Sequence, residues 1–242
     1  MTIQCKGLIL RQVDVGEADR VLTVLAKGRG KWTVSAKGVR KPRSKFLAGA
    51  QPFTYSEFTA YDNGRFCALT HADPIKSYYA IAADYETLCY GTYFLELCDK
   101  SIHENVPCDD LLLLLLAGLQ ALAKGDIPPA LAARVFEFKF YQLSGLAPEV
   151  SRCVACGGEV AGHAYFSPDG LLCGSCAGNM PRKVRLSETA LFAIRSVLVT
   201  GTPRLFRFRV CEQALAELMA ASELFFREHF DFGVKSLEML ES

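Results

Sequence analysis

The chain has 242 residues, 50% of them apolar, and a formal net charge of only +1 at pH 7, so it can bury a substantial core and is not a generally basic or acidic protein. No stretch reaches the roughly 18 consecutive apolar residues of a membrane span; the most apolar run, LLLLLLAGLQALA from Leu111, is shorter and follows two aspartates, and it reads as a buried helix. The neutral total hides an asymmetry: residues 1–78 hold 13 Lys and Arg against 6 Asp and Glu, residues 79–150 hold 4 against 10, and residues 151–242 hold 10 against 10, which points to a polyanion bound by the first segment.

The N-terminal MTIQCKGLIL is not followed by a small-residue cleavage site and does not read as a secretory signal, so the expected compartment is the cytoplasm, with no membrane partner. From Gln4 to about Lys76 the runs CKGLILRQVDV, RVLTVLAK, KWTVSAK, FTYSEFTAY and RFCALTHADPI are rich in β-branched and aromatic residues. They are separated by GEAD, GRG, the basic stretch SAKGVRKPRSKF and DNG. The glycines of GRGK and DNGR supply the positive φ of tight hairpins. Five short strands in such a span predict a five-stranded OB-fold barrel over residues 1–78, closed so that no edge is exposed.

After Tyr78 the apolar spacing changes to three and four residues, through YYAIAADYETLCYGTYFLELCDKSI, DDLLLLLLAGLQALAKG and PPALAARVFEFKFYQLSGLAP. Asp109 and Asp110 mark one helix start, Gly125 a helix end, and Pro128 with Pro129 another start. Residues 79–150 are predicted as the first part of a helical domain and residues 183–242 as its C-terminal part. In the latter, Ser187 caps a helix and Pro203 restarts the chain into RLFRFRVCEQALAELMAASELFFREHF, with Arg207 and Arg209 on one exposed side at a helix start. The fold class is therefore α+β multidomain: an N-terminal barrel, a helical domain, and a cysteine module inserted over residues 151–182.

That module, RCVACGGEVAGHAYFSPDGLLCGSCAG, pairs Cys153 with Cys156 and Cys173 with Cys176 in two CxxC knuckles sixteen residues apart. Four thiolates satisfy tetrahedral Zn²⁺, and FSPDGLL reads as the turn that returns the second knuckle to the first. One structural Zn²⁺ is expected, because a Cys₄ site leaves no open position for water or substrate. Gly157 and Gly174 are expected to let backbone amides approach the sulfurs, and His163 is expected to be an exposed loop residue. Cys5, Cys67, Cys89, Cys98, Cys108 and Cys211 read as small hydrophobes.

No phosphate-binding GxxxxGK[ST] loop, GxSxG or HExxH occurs, and His71, His103 and His229 are isolated, so the chain is not expected to be an enzyme. Asp14, Glu17 and Asp19 read as solvated turn residues rather than an acid–base set. Lys37, Arg40, Lys41, Arg43 and Lys45, with no acid among them, suit the phosphates of single-stranded nucleic acid, and Trp32, Phe46 and Phe53 nearby could stack bases. Trp32 fits a core position equally well. A second basic set, Arg195, Arg204, Arg207 and Arg209, either extends a DNA track or simply solvates the surface.

The order of GLILRQVDVGEADRVLTVLAKGRGKWTVSAKGVRKPRSKFLAGAQPF, a helical middle, CVACGG with CGSC, and a terminal KSLEML resembles the bacterial RecO recombination-mediator family over nearly the whole chain. The most specific parts are EADRVLTVL and AKGVRKPRSKF followed by QPF. The resemblance implies an OB-fold, a helical domain and a zinc module. It also implies DNA repair and recombination in the RecF pathway: binding single- and double-stranded DNA, annealing complementary strands, and working with RecR to load RecA onto DNA coated by single-strand binding protein (SSB). The partners so implied are DNA, RecR, the acidic SSB C-terminal tail, RecF and RecA, with a nucleoid-associated location. Family DNA contacts match Lys37, Arg40, Lys41, Arg43 and Lys45, and more loosely Arg195. Two other readings are a zinc-containing OB-fold RNA-modifying enzyme and a pure protein–protein adaptor.

Overall fold

A computed structural model describes residues 1–160, 162–178 and 180–238; the end of KSLEML, and with it the close of the predicted 183–242 span, lies outside the described residues. The chain forms two compact units, residues 1–124 with 234–242, and residues 125–233.

The first unit opens with β1 (Thr2–Val15), β2 (Asp19–Ala26), β3 (Gly30–Ala36), β4 (Thr54–Asp62) and β5 (Cys67–Ser77), closed into a barrel in the order β1-β2-β3-β5-β4. This is the predicted five-stranded barrel. Strand β1 is long enough to serve two partners: residues 2–8 pair with β4 and residues 7–15 with β2. A register shift between Ile9 and Arg11 bends it between them. All neighbours run antiparallel except β3 and β5, which are parallel and share one ladder pair among the described residues, Ser35 with Ala68. Because a parallel neighbour cannot be reached by a hairpin, residues 37–53 must cross from β3 to β4 before β5 can return to the seam. Alternating inward residues such as Leu22, Val24, Trp32, Val34 and Phe58 fill the interior.

Helices α1 (Tyr85–Ser101) and α2 (Asp109–Lys124) follow. Asp84 caps α1, its Oδ2 accepting the Thr87 N–H at 2.8 Å. The link between the two helices returns to the barrel: Asn105 N–H donates to the Lys31 carbonyl at 2.9 Å, and Glu104 forms a parallel bridge with Lys31. Gly30 makes this approach possible. Its φ is 81°, and a Cβ there would lie 1.9 Å from the Val106 carbonyl oxygen.

The second unit contains α3 (Pro129–Leu143), β6 (Ala164–Ser167), β7 (Gly170–Cys173), the single turn α4 (Gly174–Ala177), β8 (Val184–Leu186), α5 (Glu188–Val199) and α6 (Glu212–His229). Strands pair in the order β7-β6-β8. Helix α3 is buried along most of its length, Leu131 to Tyr141, so FEFKFYQL is core. Its charged groups are paired within the unit: Arg134 Nη2 pairs with Glu137 at 2.6 Å, Glu137 also accepts from the Ser222 hydroxyl, and Lys139 Nζ donates to the Leu198 carbonyl at 3.1 Å. One expectation is corrected here. Residues 207–211 are not helical; α6 starts at Glu212 with Cys211 as its N-cap. Arg207 and Arg209 alternate as exposed residues along an extended segment whose Phe206, Phe208 and Val210 are half-buried, a two-residue period that belongs to extended chain rather than to a helix start.

The chain then returns to the first unit as the short turn α7 (Lys235–Glu238). Glu96 of α1 holds it, accepting the Ser236 N–H at 3.0 Å, the Ser236 hydroxyl at 2.8 Å and the Lys235 N–H at 3.2 Å, beside an ion pair with Lys100 at 2.7 Å. Burial alone would raise the Glu96 carboxyl; Lys100, Ser236 and the two amides outweigh it and bring the pKa from 4.5 to about 2. A depressed carboxylate contributes stability that is complete above its ordinary value and lost as pH falls through the folded one. The C-terminal turn should therefore stay docked at neutral pH and loosen between about pH 4.5 and 2. Glu96→Gln should weaken it by about 2 kcal/mol and remove that pH step, read by amide hydrogen exchange of residues 234–238; equal steps in both proteins would contradict the assignment.

Candidate nucleic-acid interface and metal site

The crossover from β3 to β4 is held at both ends by the barrel. Val39, Phe46 and Ala50 enter the barrel core. Gly49 lies so close to β5 that a Cβ would be 2.1 Å from the Ala72 carbonyl oxygen, and its own carbonyl accepts the Ser56 hydroxyl at 2.8 Å. At the other end the β1–β2 turn grips the loop: Gly38 N–H donates to Asp19 Oδ1 at 2.7 Å and Arg40 N–H to the Ala18 carbonyl at 3.0 Å. Asp19 is thus a structural anchor rather than simply a solvated turn residue, while Asp14 meets the loop through an exposed ion pair with Arg40. Nothing in sequence spacing links them to a loop some twenty residues on.

Along this crossover all five cations, Lys37, Arg40, Lys41, Arg43 and Lys45, are exposed. They are not equivalent. Arg40 Nη1 lies 3.4 Å from Asp14 Oδ2 and donates to the Gly16 carbonyl at 3.2 Å. Asp14 also binds Arg20 at 2.6 Å; that hydrogen bond, with the charges of Arg20 and Arg40, holds its carboxyl below the ordinary value. Lys45 Nζ sits 5.2 Å from the Phe46 ring centre. The side chains of Lys37, Lys41 and Arg43 have no hydrogen-bond or ion-pair partner among the described residues.

The expected stacking aromatics are corrected by burial. Trp32, Phe46 and Phe53 are 3%, 5% and 5% exposed, so all three are core residues and none offers a free face. Exposed aromatics of the barrel lie instead at the β4–β5 end, Tyr61 on β4 and Phe66, 49% exposed, in the β4–β5 turn. The DNG signal marked that turn without pointing to the ring that follows it.

Arg195 is half-buried on α5, and its Nε donates to the Val150 carbonyl at 2.8 Å. Arg209 Nη2 donates to the Asp126 carbonyl at 3.0 Å. Arg207 and Arg204 are exposed. These arginines lie in the second unit; the loop cations belong to the first.

In the second unit the knuckles converge as expected. The Sγ atoms of Cys153, Cys156, Cys173 and Cys176 all lie within 4.8 Å of one another and can hold a metal ion. Cys156 and Cys173 Sγ are 3.9 Å apart, close to the ~3.8 Å edge of a regular tetrahedron built on ~2.3 Å metal–sulfur bonds. The β6–β7 hairpin, turning at Pro168–Asp169, returns the second knuckle to the first. Gly157 (φ 70°) shapes the first knuckle, its N–H donating to the Cys153 carbonyl at 2.8 Å. The glycine close to a sulfur is Gly158, where a Cβ would be 3.4 Å from Cys156 Sγ; Gly174 instead opens α4. His163 is exposed and faces Arg185, at 3.1 Å, rather than the cysteines.

Backbone amides, first that of Cys173 (N···Sγ 3.4 Å) and then that of Cys156, pull the Cys153 thiol down to about 6. Cys176 is pushed up to about 12 by the neighbouring sulfurs of Cys173, Cys156 and Cys153. One thiolate is thus prepared and the last is opposed by its neighbours, an opposition that a divalent cation at the centre would relieve by favouring the thiolate form of all four. Cys89 and Cys98 are buried and Cys5 and Cys67 pack against the barrel core. Among the described residues no helix is long and apolar enough to cross a membrane.

Comparison with known proteins agrees with this architecture. Residues 1–78 match the family model "Recombination protein O N terminal", and residues 82–238 match "Recombination protein O C terminal". A protein named DNA repair protein RecO from Acetivibrio thermocellus is 34% identical over 99% of this chain and 96% of its own. Relatives of the same name from Heliobacterium modesticaldum and Bacillus subtilis are 32% and 28% identical, over 99% and 100% of this chain and 89% and 94% of theirs. With both family models matched in order and relatives aligned end to end, the chain belongs to the RecO family.

Proposed function

We propose that the protein is a non-enzymatic mediator of DNA repair and homologous recombination. It binds single- and double-stranded DNA through the β3–β4 crossover and anneals complementary strands by screening their phosphates, with no nucleotide hydrolysis. With RecR it helps load RecA onto SSB-coated single strands, within the pathway that includes RecF, at the nucleoid in the cytoplasm. The observation that carries this reading is the exposed cation run 37–45, with no acid inside it, on a loop clamped at both ends. Clamping matters because a preset row of charges loses less conformational freedom on meeting a phosphate backbone than a mobile one. Arg195, Arg207 and Arg209 are secondary DNA contacts in this reading, and Arg195 the most constrained of them.

The four thiolates bind one Zn²⁺, whose role is structural, since the closed donor set leaves it no position for water or substrate. The same argument disfavours an RNA-modifying enzyme. By domain function, residues 1–78 form the DNA-binding barrel, residues 79–150 and 183–242 the helical scaffold and partner surface, and residues 151–182 the zinc module.

Two measurements test this. Lys37→Glu, Lys41→Glu and Arg43→Glu combined should lower DNA affinity at least a hundredfold near physiological salt. They should also flatten the dependence of log affinity on log salt by about 2 for single strands, at about 0.7 per lost phosphate contact. Arg40→Glu alone should do less, because its guanidinium already serves Asp14 and Gly16. Unchanged salt dependence in the triple variant would sink the loop assignment. For the metal, Co²⁺ added to the metal-free chain should develop thiolate charge-transfer bands that saturate at one ion and are displaced by Zn²⁺; Cys156→Ser should weaken that binding, and bands that never appear would refute the site.

A further inference from the structure

The barrel contains a second feature that the loop does not explain. Beside the stretch where β3 and β5 do not pair lies a cleft of about 400 Å³, within the ~300–1,000 Å³ range of small-ligand sites. It is lined by β3 at Trp32, the β4–β5 turn with Arg65 and Phe66, Arg29 from the β2–β3 turn, and Glu104 from the segment docked on β3. The turn is preset: Arg65 and Phe66 N–H both donate to Asn63 Oδ1 at 3.0 Å. Phe66 is 49% exposed. The Arg29 guanidinium lies 5.4 Å from the centre of the buried Trp32 ring, Arg65 is exposed at the rim, and Glu104 Oε1 is held at the cleft by the Thr33 hydroxyl at 3.1 Å.

The chemistry differs from that of the crossover loop. Here Arg29 and Arg65 are balanced by Asp62 and Glu104, so the cleft is not built for a bare phosphate. An aromatic face, the exposed Arg65 guanidinium and a fixed carboxylate acceptor match a flat heteroaromatic ring whose edge both donates and accepts. Resting on the proposed function, we propose that this cleft receives an unpaired nucleobase of single-stranded DNA, its ring against Phe66 and its polar edge toward Arg65 and Glu104. A base inside a duplex is stacked and paired and cannot enter. The loop would then bind both forms of DNA through phosphate, and the cleft would favour the single strand.

The test compares, for the full chain, an oligothymidylate, an abasic strand of equal length with the same phosphates, and a duplex. The wild type should prefer the base-bearing strand to the abasic one by about tenfold, the size of one base–aromatic stacking contact. Phe66→Ala should erase that ratio while leaving abasic-strand and duplex affinity unchanged, and Phe66→Trp should restore it. Because the ratio is read within each variant, a modest loss of stability does not disturb it. Equal affinity of the wild type for the two single strands, or a ratio that survives Phe66→Ala, overturns the cleft and leaves the loop assignment standing. Failure to bind any of the three DNAs overturns both.

Discussion

The first unit depends on how its barrel closes. Four antiparallel pairs form long ladders, but the parallel seam is sealed by Ser35 and Ala68 alone among the described residues. That geometry has two consequences. The chain must cross an end of the barrel between β3 and β4, which creates a long loop rather than a hairpin. The unpaired length of the seam also needs cover, and Glu104–Asn105 supplies it at Lys31 by β-type hydrogen bonding, at the one glycine that lets the backbones approach.

The crossover is where the charge sits, and its anchoring separates it from an ordinary solvated loop. Apolar anchors at Val39, Phe46 and Ala50 each bury area worth about 1–3 kcal/mol. Exposed ion pairs such as Arg40–Asp14 add little by comparison. The cations therefore add little to the fold; the apolar anchors and the hydrogen bonds of Gly38 and Arg40 to the β1–β2 turn set where they stand. The cysteine site follows a similar logic in the second unit, where a hairpin and two knuckles bring four sulfurs to one point within a three-stranded sheet too short to hold them alone.

Much of this was legible in the residues. Alternation in KWTVSAK and FTYSEFTAY, the turn glycines Gly28 and Gly64, the proline pair before α3 and the doubled CxxC are local signals, and local physics decides them. What could not be read depends on partners distant in sequence. Trp32 and Phe46 stand beside the cations in sequence yet face the barrel interior. Asp14 and Asp19 look like turn residues until Gly38 and Arg40 arrive. Residues 207–211 carry a two-residue alternation inside what looks like a helical run. Phe66 has no periodic neighbour to mark it, and only the folded turn gives it a cleft.

The central claim is that a fixed row of cations on a closed barrel brings DNA strands together without an energy source. Its most direct test is the rate at which the purified chain anneals complementary oligonucleotides in the absence of any nucleotide triphosphate. The account predicts acceleration at low salt that fades as ionic strength rises and disappears when Lys37, Lys41 and Arg43 carry negative charge in an otherwise folded protein. Annealing that ignores both salt and those three residues, or that requires a hydrolysable nucleotide, would contradict it.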